Sequence, residues 1–500
     1  MSDDVDGQAG QARQAGQALW LVGVVSCLSW IPLFSAPFVV MQDLSAHLET
    51  AAQLRDLLWG ERHLAGLYQV QSWPFPNSVP VLLLALLHEV LDPLLAAKLL
   101  LAASAVLWPL SLGFLARALG RSPALALLAI PSIFDLSWSY GFFNFILGKP
   151  MLVVALLLAV RGSRKETGMP VLAALAALLL LLFCTHLLLF SFAMALALWF
   201  VVVMGQGLLA RARAVAAILV GGAPGLHWMF VHRQQNAGAV TLRPLAQSLR
   251  SAWGDLGDLF VGAADAVSWW GAAAAAVVVV IVSVRAGRLV FGRTHLALAG
   301  AGLFLLGFWA FGPVRTPLVS IVAERFLSPA LALLVLLPPL RVLSRWILLG
   351  LVLCVATTFL VTTTATAQRY RAFSNKDMGE FRELLQKMPP GASVATHYVT
   401  PFSEYGRHNA TWHWPKLHAV YGGGITDDSF AYRVTTWVTL TDEARRAGAI
   451  KRHNLDPVKL KEWDYLLVRG RSPAVENLLG RAPLALVGET GTWRLYMITQ

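Results

Sequence analysis

Apolar residues run in long unbroken blocks along this chain, and charges gather between the blocks rather than inside them. Residues 171–183 and 272–284 carry no charge, and apolar flanks extend both. Such runs predict membrane-spanning helices, because a buried helix of a soluble protein usually meets a charge within about 10–14 residues. The first span falls at 18–40 and a polar stretch follows at 41–77. Further spans are expected at 94–116, 123–134, 141–160, twice within 170–209, and at 215–231, 267–284, 296–311, 326–340 and 347–361. Residues 79–91 read as an interfacial or re-entrant helix broken by Asp92-Pro93.

The charges between blocks set a direction. Basic clusters at 117–121, 161–165, 211–213, 285–293 and 341–345 fall on one side of this arrangement, with Glu166 as the only acid among them. The positive-inside rule makes that side the cytoplasm and gives about eleven crossings. The loops 41–77, 135–140, 232–265 and 312–325 then lie outside, with the C-terminal segment. The N-terminal tail sets Asp3, Asp4 and Asp6 against Arg13, so the direction rests on the later clusters. The tail lacks a basic leader region and a small-residue cleavage site, so the first block is expected to stay as an anchor.

After the last span the pattern changes. Residues 376–387 have helical spacing and stop at Pro389-Pro390-Gly391. Residues 393–399 and 464–468 are β-rich, and 484–487 with 493–498 read as a terminal hairpin. The expected fold class is an all-α polytopic membrane bundle followed by a small α/β extracytoplasmic domain. The expected division is a flexible cytoplasmic tail at 1–17, a transmembrane domain at 18–368, and the extracytoplasmic domain at 369–500. No internal repeat is evident, which argues against a transporter built from duplicated halves.

Composition agrees. The chain is 57% hydrophobic and 14% charged, against roughly 25% charged in a soluble domain. The formal net charge is +12. In a chain of spans this excess belongs to cytoplasmic loops and lipid head groups, and no nucleic-acid partner is expected. Cys27, Cys184 and Cys354 all sit in apolar blocks, so neither disulfides nor cysteine metal sites are expected.

Few polar residues remain as candidates for chemistry. In the first outer loop Asp43 and His47 are four apart and share a helical face. A carboxylate beside an imidazole at the membrane surface can deprotonate a hydroxyl or hold a divalent cation. Asp43 equally suits the N-cap of an amphipathic interfacial helix, and His47 a surface position. The turn from Phe134 to Phe145 combines Asp135 and Asn144 with aromatic residues that suit an interfacial belt. Polar groups at span ends that face a bundle interior are usually functional. His186 falls midway between two spans. Arg315 and Arg325 suit a phosphate group, while Glu324 offers Arg325 a local ion pair. Five histidines lie in the C-terminal segment, His397, His408, His413, His418 and His453, without zinc spacing. They are expected at the surface or against an acceptor.

An acid directly after the first span, an interfacial-helix loop, many further spans and an outer C-terminal domain resemble the GT-C-type membrane glycosyltransferases. Protein O-mannosyltransferases and lipid A aminoarabinose transferases belong to that group. The residues that carry the resemblance are Asp43-x-x-x-His47 and Trp138-Ser139-Tyr140-Gly141-Phe142-Phe143-Asn144-Phe145. Bacterial members have similar segments. The resemblance implies transfer of a sugar from a polyprenyl-phosphate donor to an acceptor hydroxyl on the outer face of the bacterial inner membrane. It implies Asp43 as general base and His47 as its partner or as a donor-phosphate ligand. Arg315 and Arg325 would clamp the phosphate, and Asp135, Asn144, His186 and Glu324 would complete the substrate site. The partners implied are a lipid-linked sugar, membrane lipid, and a glycan, lipid or protein acceptor. This chain lacks a clear acidic pair in the first loop, where Glu49 or Asp56 would have to be the second acid, so metal dependence stays open. Two other readings compete: a transporter or flippase for lipid-linked sugars, and a non-catalytic subunit of an envelope polysaccharide machine.

Overall fold

The fold was analysed in a computed structural model. It describes residues 2–60, 64, 66–233, 239–257, 259–260, 262–285, 291–316, 320–427, 429–432, 436–447 and 460–499.

Eight helices among the described residues are long and apolar enough to cross a membrane. They are Gly10–Phe34, Pro93–Ala118, Phe143–Gly162, Leu187–Met204, Leu208–Val231, Ala263–Arg285, Arg293–Phe311 and a last one beginning at Arg345. The chain is a multi-pass membrane protein of helical type. Three expected crossings are short. Met169–Thr185 has 17 residues. Pro123–Ile133 is a 3-10 helix of 11 residues, all buried, and at ~2.0 Å per residue it reaches only about 22 Å. Leu327–Leu334 has eight residues, about 12 Å at 1.5 Å each, and unwinds before Pro338-Pro339. All three nonetheless carry the chain across the bundle: Arg164 donates to the Ala118 carbonyl at 3.1 Å, the Gln206 amide to the Ser163 carbonyl at 2.9 Å, and the Ser122 amide to the Leu340 carbonyl at 2.6 Å, so the chain returns to the same end after each. Proline limits two of these segments, and Pro123–Ile133 is buried throughout.

Contacts divide the chain into two units. One comprises Met1–Ile31, Leu100–Trp138 and Asn144–Ala365; the other comprises Pro32–Leu99, Ser139–Phe143 and Thr366–Gln500.

The first unit is helical. His186 breaks the 170–209 block into two helices, with extended backbone at φ −161°, ψ 110°, and its ring accepts from the Leu189 amide at 3.2 Å. Small residues permit close helix packing in such a bundle. A Cβ on Gly221 would stand 2.3 Å from the Ala176 carbonyl oxygen, so helix Leu208–Val231 meets Met169–Thr185 backbone to backbone.

The second unit holds a five-stranded mixed sheet in the order Ile425–Thr426, Ser393–Tyr398, Tyr465–Arg469, Trp493–Ile498, Leu484–Thr490. The last two strands form the expected terminal hairpin. Ala395, Leu466, Val468 and Trp463 anchor its core. Residues of the first loop belong to the same unit. Strand Tyr68–Val70 pairs antiparallel with Val438–Leu440. Helix Leu44–Trp59 buries Leu44, Leu48, Ala51 and Leu54, and buries Glu49 and Gln53 as well. Lys416 and Thr426 meet Glu49, and Ser429 meets Gln53, so the polar face of the expected amphipathic interfacial helix is covered by protein rather than open to water. The break at Asp92-Pro93 is a helix start, with Asp92 Oδ1 accepting from the amides of Leu94 and Leu95.

Candidate functional site

In the second unit the turn into helix Leu44–Trp59 is fixed from two sides. The Asp43 amide donates to the Tyr140 carbonyl at 2.8 Å. Gly141 makes that approach possible: its φ is +71°, and a Cβ there would lie 3.0 Å from Met41 Cβ and 3.1 Å from the Leu44 nitrogen. Glycine thus lets residues 140–143 lie against Asp43. The two motifs that carried the sequence resemblance meet here, since the His47 and Phe143 rings are 5.9 Å apart.

Asp43 stands at the N-cap position yet makes no side-chain cap bond. It is 7% exposed. Its Oδ1 accepts from Gln42 Nε2 at 3.2 Å and faces His413 Nε2 at 3.4 Å. His47 packs edge-on to Phe430 at 5.9 Å, and Phe430 also touches His413 at 5.2 Å. Further along the same helix, Glu49 is fully buried. Its Oε1 accepts from Thr426 Oγ1 at 2.7 Å, and its Oε2 lies 3.5 Å from Lys416 Nζ. The Lys416 ammonium also stands over the Phe430 ring. His47, His413 and Lys416 therefore surround Phe430, and Asp43 and Glu49 face the last two as their acid partners.

Of the two acids left open by the sequence, Glu49 turns inward. Asp56 instead accepts from the Leu64 amide at 3.4 Å. His413 and His418 are buried, so of the two expected places, the surface or against an acceptor, the surface does not hold for them. His418 Nε2 bonds the Ala392 carbonyl at 2.9 Å. His408 stacks on Tyr140 at 3.8 Å, and burial, reinforced by Arg407, lowers its pKa to about 4. His453 lies outside the described residues. Sequence reasoning missed Lys416 and the pairing of His413. The signal was present in His413-Trp414-Pro415-Lys416, because a proline-containing 3-10 turn puts residues three apart on one face.

Among the described residues no group of three His, Cys, Asp or Glu side chains is placed to hold a metal ion. The second acid has an ammonium where a cation would sit. This donor set fits proton transfer and charge pairing rather than a divalent ion shared by Asp43 and Glu49. A cavity of about 590 Å³ in the same unit is lined by Lys98 and Arg382 and by Asp92, Glu380 and Glu383. Phe38, in its wall, packs edge-on to Trp414, the neighbour of His413.

The remaining candidates belong to the first unit. Phe145 lies between His186, at 5.2 Å, and Arg325, whose guanidinium is 5.8 Å from the ring. Arg325 also donates to the carbonyls of Ile321 at 2.6 Å and Ser320 at 3.0 Å. Asn144 is buried, with its Oδ1 lacking a hydrogen-bond partner. Glu324 faces Arg243 at 3.8 Å, and Arg243 also reaches Asp255 at 3.4 Å. Burial pushes both acids above the usual carboxylate range. Arg315 is exposed in a short strand paired with Thr241–Leu242. Asp135 is closed in by its own partners: Lys149 at 2.8 Å and the Trp138 amide at 3.2 Å.

No family model matches this chain, and no curated protein matches it in sequence. Two crystal structures of ArnT from Cupriavidus metallidurans are similar to it in fold. One, bound to undecaprenyl phosphate, is 14% identical with a TM-score of 0.59 and covers 96% of this chain and 98% of its own. The other, in the apo state, is 13% identical with a TM-score of 0.60 and covers 96% and 97%. The chain thus shares the fold of these ArnT structures over nearly its whole length.

Proposed function

We propose that this protein transfers a sugar from a polyprenyl-phosphate donor to an acceptor hydroxyl at the extracytoplasmic face of the bacterial inner membrane. The observation that carries the reading is the Asp43 carboxylate. It sits at a helix start, makes no side-chain capping bond, and faces His413, whose ring packs on Phe430. The fold supports the donor class, because one ArnT structure of this fold holds undecaprenyl phosphate.

In this reading Asp43 takes the proton of the acceptor hydroxyl as its oxygen attacks the anomeric carbon. The bond between that carbon and the phosphate oxygen breaks, and polyprenyl phosphate leaves. His413 orients the carboxylate and His47 contacts the sugar beside Phe430. The Glu49–Lys416 pair holds the turn that carries His413. In the first unit, Arg325 and Arg315 have the donor chemistry that a phosphate takes, and Asn144 and His186 are the polar groups of that unit suited to substrate. The Glu324 carboxylate holds Arg243, and Asp135 holds its own turn through Lys149. The 590 Å³ cavity has two basic and three acidic side chains in its wall. It suits a hydroxyl-rich acceptor better than a second phosphate.

The test is transfer from a radiolabelled undecaprenyl-phosphate sugar by the full chain in liposomes. A positioned base contributes about 10²–10⁴-fold, so Asp43→Asn should lose that much rate. Transbilayer movement of the donor without transfer, undiminished in Asp43→Asn, would establish the flippase reading instead. Neither transfer nor movement across a donor panel would support a non-catalytic assembly subunit.

A further inference from the structure

In the first unit, away from the residues given a catalytic role, the basic end of the bundle contains an uncompensated charge. Arg121 follows helix Pro93–Ala118 and is only 8% exposed. Its Nη2 lies 3.2 Å from both ring nitrogens of His295, and its Nε has no hydrogen-bond partner. The Ser122 amide bonds the Leu340 carbonyl at 2.6 Å, which brings Arg341 to the same place. Among the described residues no carboxylate pairs with Arg121. Residues 286–290, which precede this end of helix Arg293–Phe311, include no acid in the sequence. A buried guanidinium without a counter-ion is costly, and a fork of N–H donors matches phosphate oxygens.

His295 also lines a cavity of about 910 Å³. The walls of that cavity are apolar, among them Val280, Leu296, Ala299 and Leu334, and Arg293 stands with His295 at one end. A basic end joined to an apolar chamber has the chemistry of an anionic lipid site. The positive-inside rule assigns this end to the cytoplasmic leaflet, where anionic lipids and basic pockets between helices meet.

We infer that this chamber binds an anionic glycerophospholipid, with its phosphate on Arg121 and His295 and an acyl chain in the 910 Å³ cavity. The site is separate from sugar transfer and stands without that reading.

Native mass spectrometry of the delipidated full chain, given phosphatidylglycerol or phosphatidylcholine, tests it. Wild type should retain phosphatidylglycerol about tenfold better, the worth of one charge-assisted contact. Arg121→Gln should erase that preference. Arg213→Gln, an equal charge change at an exposed position, should leave it intact. Ala299→Phe should remove binding by filling the cavity while Arg121 stays. Arg121→Lys keeps the charge in case the Gln variant fails to fold, and should lower retention without abolishing it. Equal losses in Arg121→Gln and Arg213→Gln would overturn the site, as would full retention in Ala299→Phe. Complete displacement of phosphatidylglycerol by inorganic phosphate, or preferential capture of undecaprenyl phosphate, would overturn the assigned occupant.

Discussion

Asp135 and Glu49 are both buried carboxylates facing a lysine, and they are held in different ways. The Asp135–Lys149 contact is 2.8 Å, with both side chains 2% exposed. Each partner is also tied to backbone, Asp135 to the Trp138 amide and Lys149 to the Ser132 carbonyl. The Glu49–Lys416 contact is 3.5 Å, and Glu49 Oε2 has no hydrogen bond. Its neighbour pair, Asp43 and His413, stands at 3.4 Å. A tight, saturated pair fixes a turn. The longer Asp43–His413 contact suits a carboxylate that must exchange partners during a cycle, while Glu49 and Lys416 hold the turn that carries His413.

The largest effect that separates the two regions should come from Lys149→Met. It leaves Asp135 charged and unpaired, at a cost of about 3–5 kcal/mol, and the double change with Asp135→Asn should recover much of this. Thermal unfolding in detergent measures both, and a harmless single change would remove the structural reading of Asp135. A smaller stability loss, about 1–2 kcal/mol, is expected for Glu49→Gln, because the longer contact is worth less. Its transfer rate should nonetheless fall about tenfold, through displacement of the turn that carries His413. Stability lost without any change in rate would make Glu49 a purely structural partner.

The smallest effect concerns His408. Its pKa drops from 6.5 to about 4 in the folded chain. Between those values the unfolded chain binds more protons, so stability rises with pH and is lost as pH falls from 6.5 toward 4. Given the partial exposure of His408, the loss is on the order of 2 kcal/mol. Unfolding of His408→Phe, which keeps a ring on Tyr140, should show a flatter pH profile. Identical profiles would contradict the assignment.

Much of the fold was legible in residue pattern alone, for definite reasons. Hydrocarbon thickness and the cost of bare backbone in lipid leave apolar runs little choice but helix. The terminal hairpin was readable from β-rich runs split by Gly488-Glu489-Thr490-Gly491. The His186 break was likewise visible at the middle of a block too long for one span. Pro123–Ile133 and the 326–340 block were legible as crossings but not in their form, a 3-10 helix and a short helix, because an apolar run does not report how its backbone winds. Within the candidate site, Asp43 and His47 were visible as a four-residue spacing. The partners His413 and Lys416 were not, because roughly 370 residues separate them from Asp43 and only the tertiary fold brings them together. The sequence also could not tell a capping aspartate from one that leaves the cap unmade, since both occupy the same position.

That last distinction bears the central claim. The decisive measurement is single-turnover sugar transfer from undecaprenyl-phosphate-linked donor by wild type and Asp43→Asn, each shown to unfold at the same temperature. The account predicts a rate reduced about 10²–10⁴-fold in the variant, with stability changed by less than about 1 kcal/mol. Equal rates in two equally stable proteins would show that Asp43 is not the base.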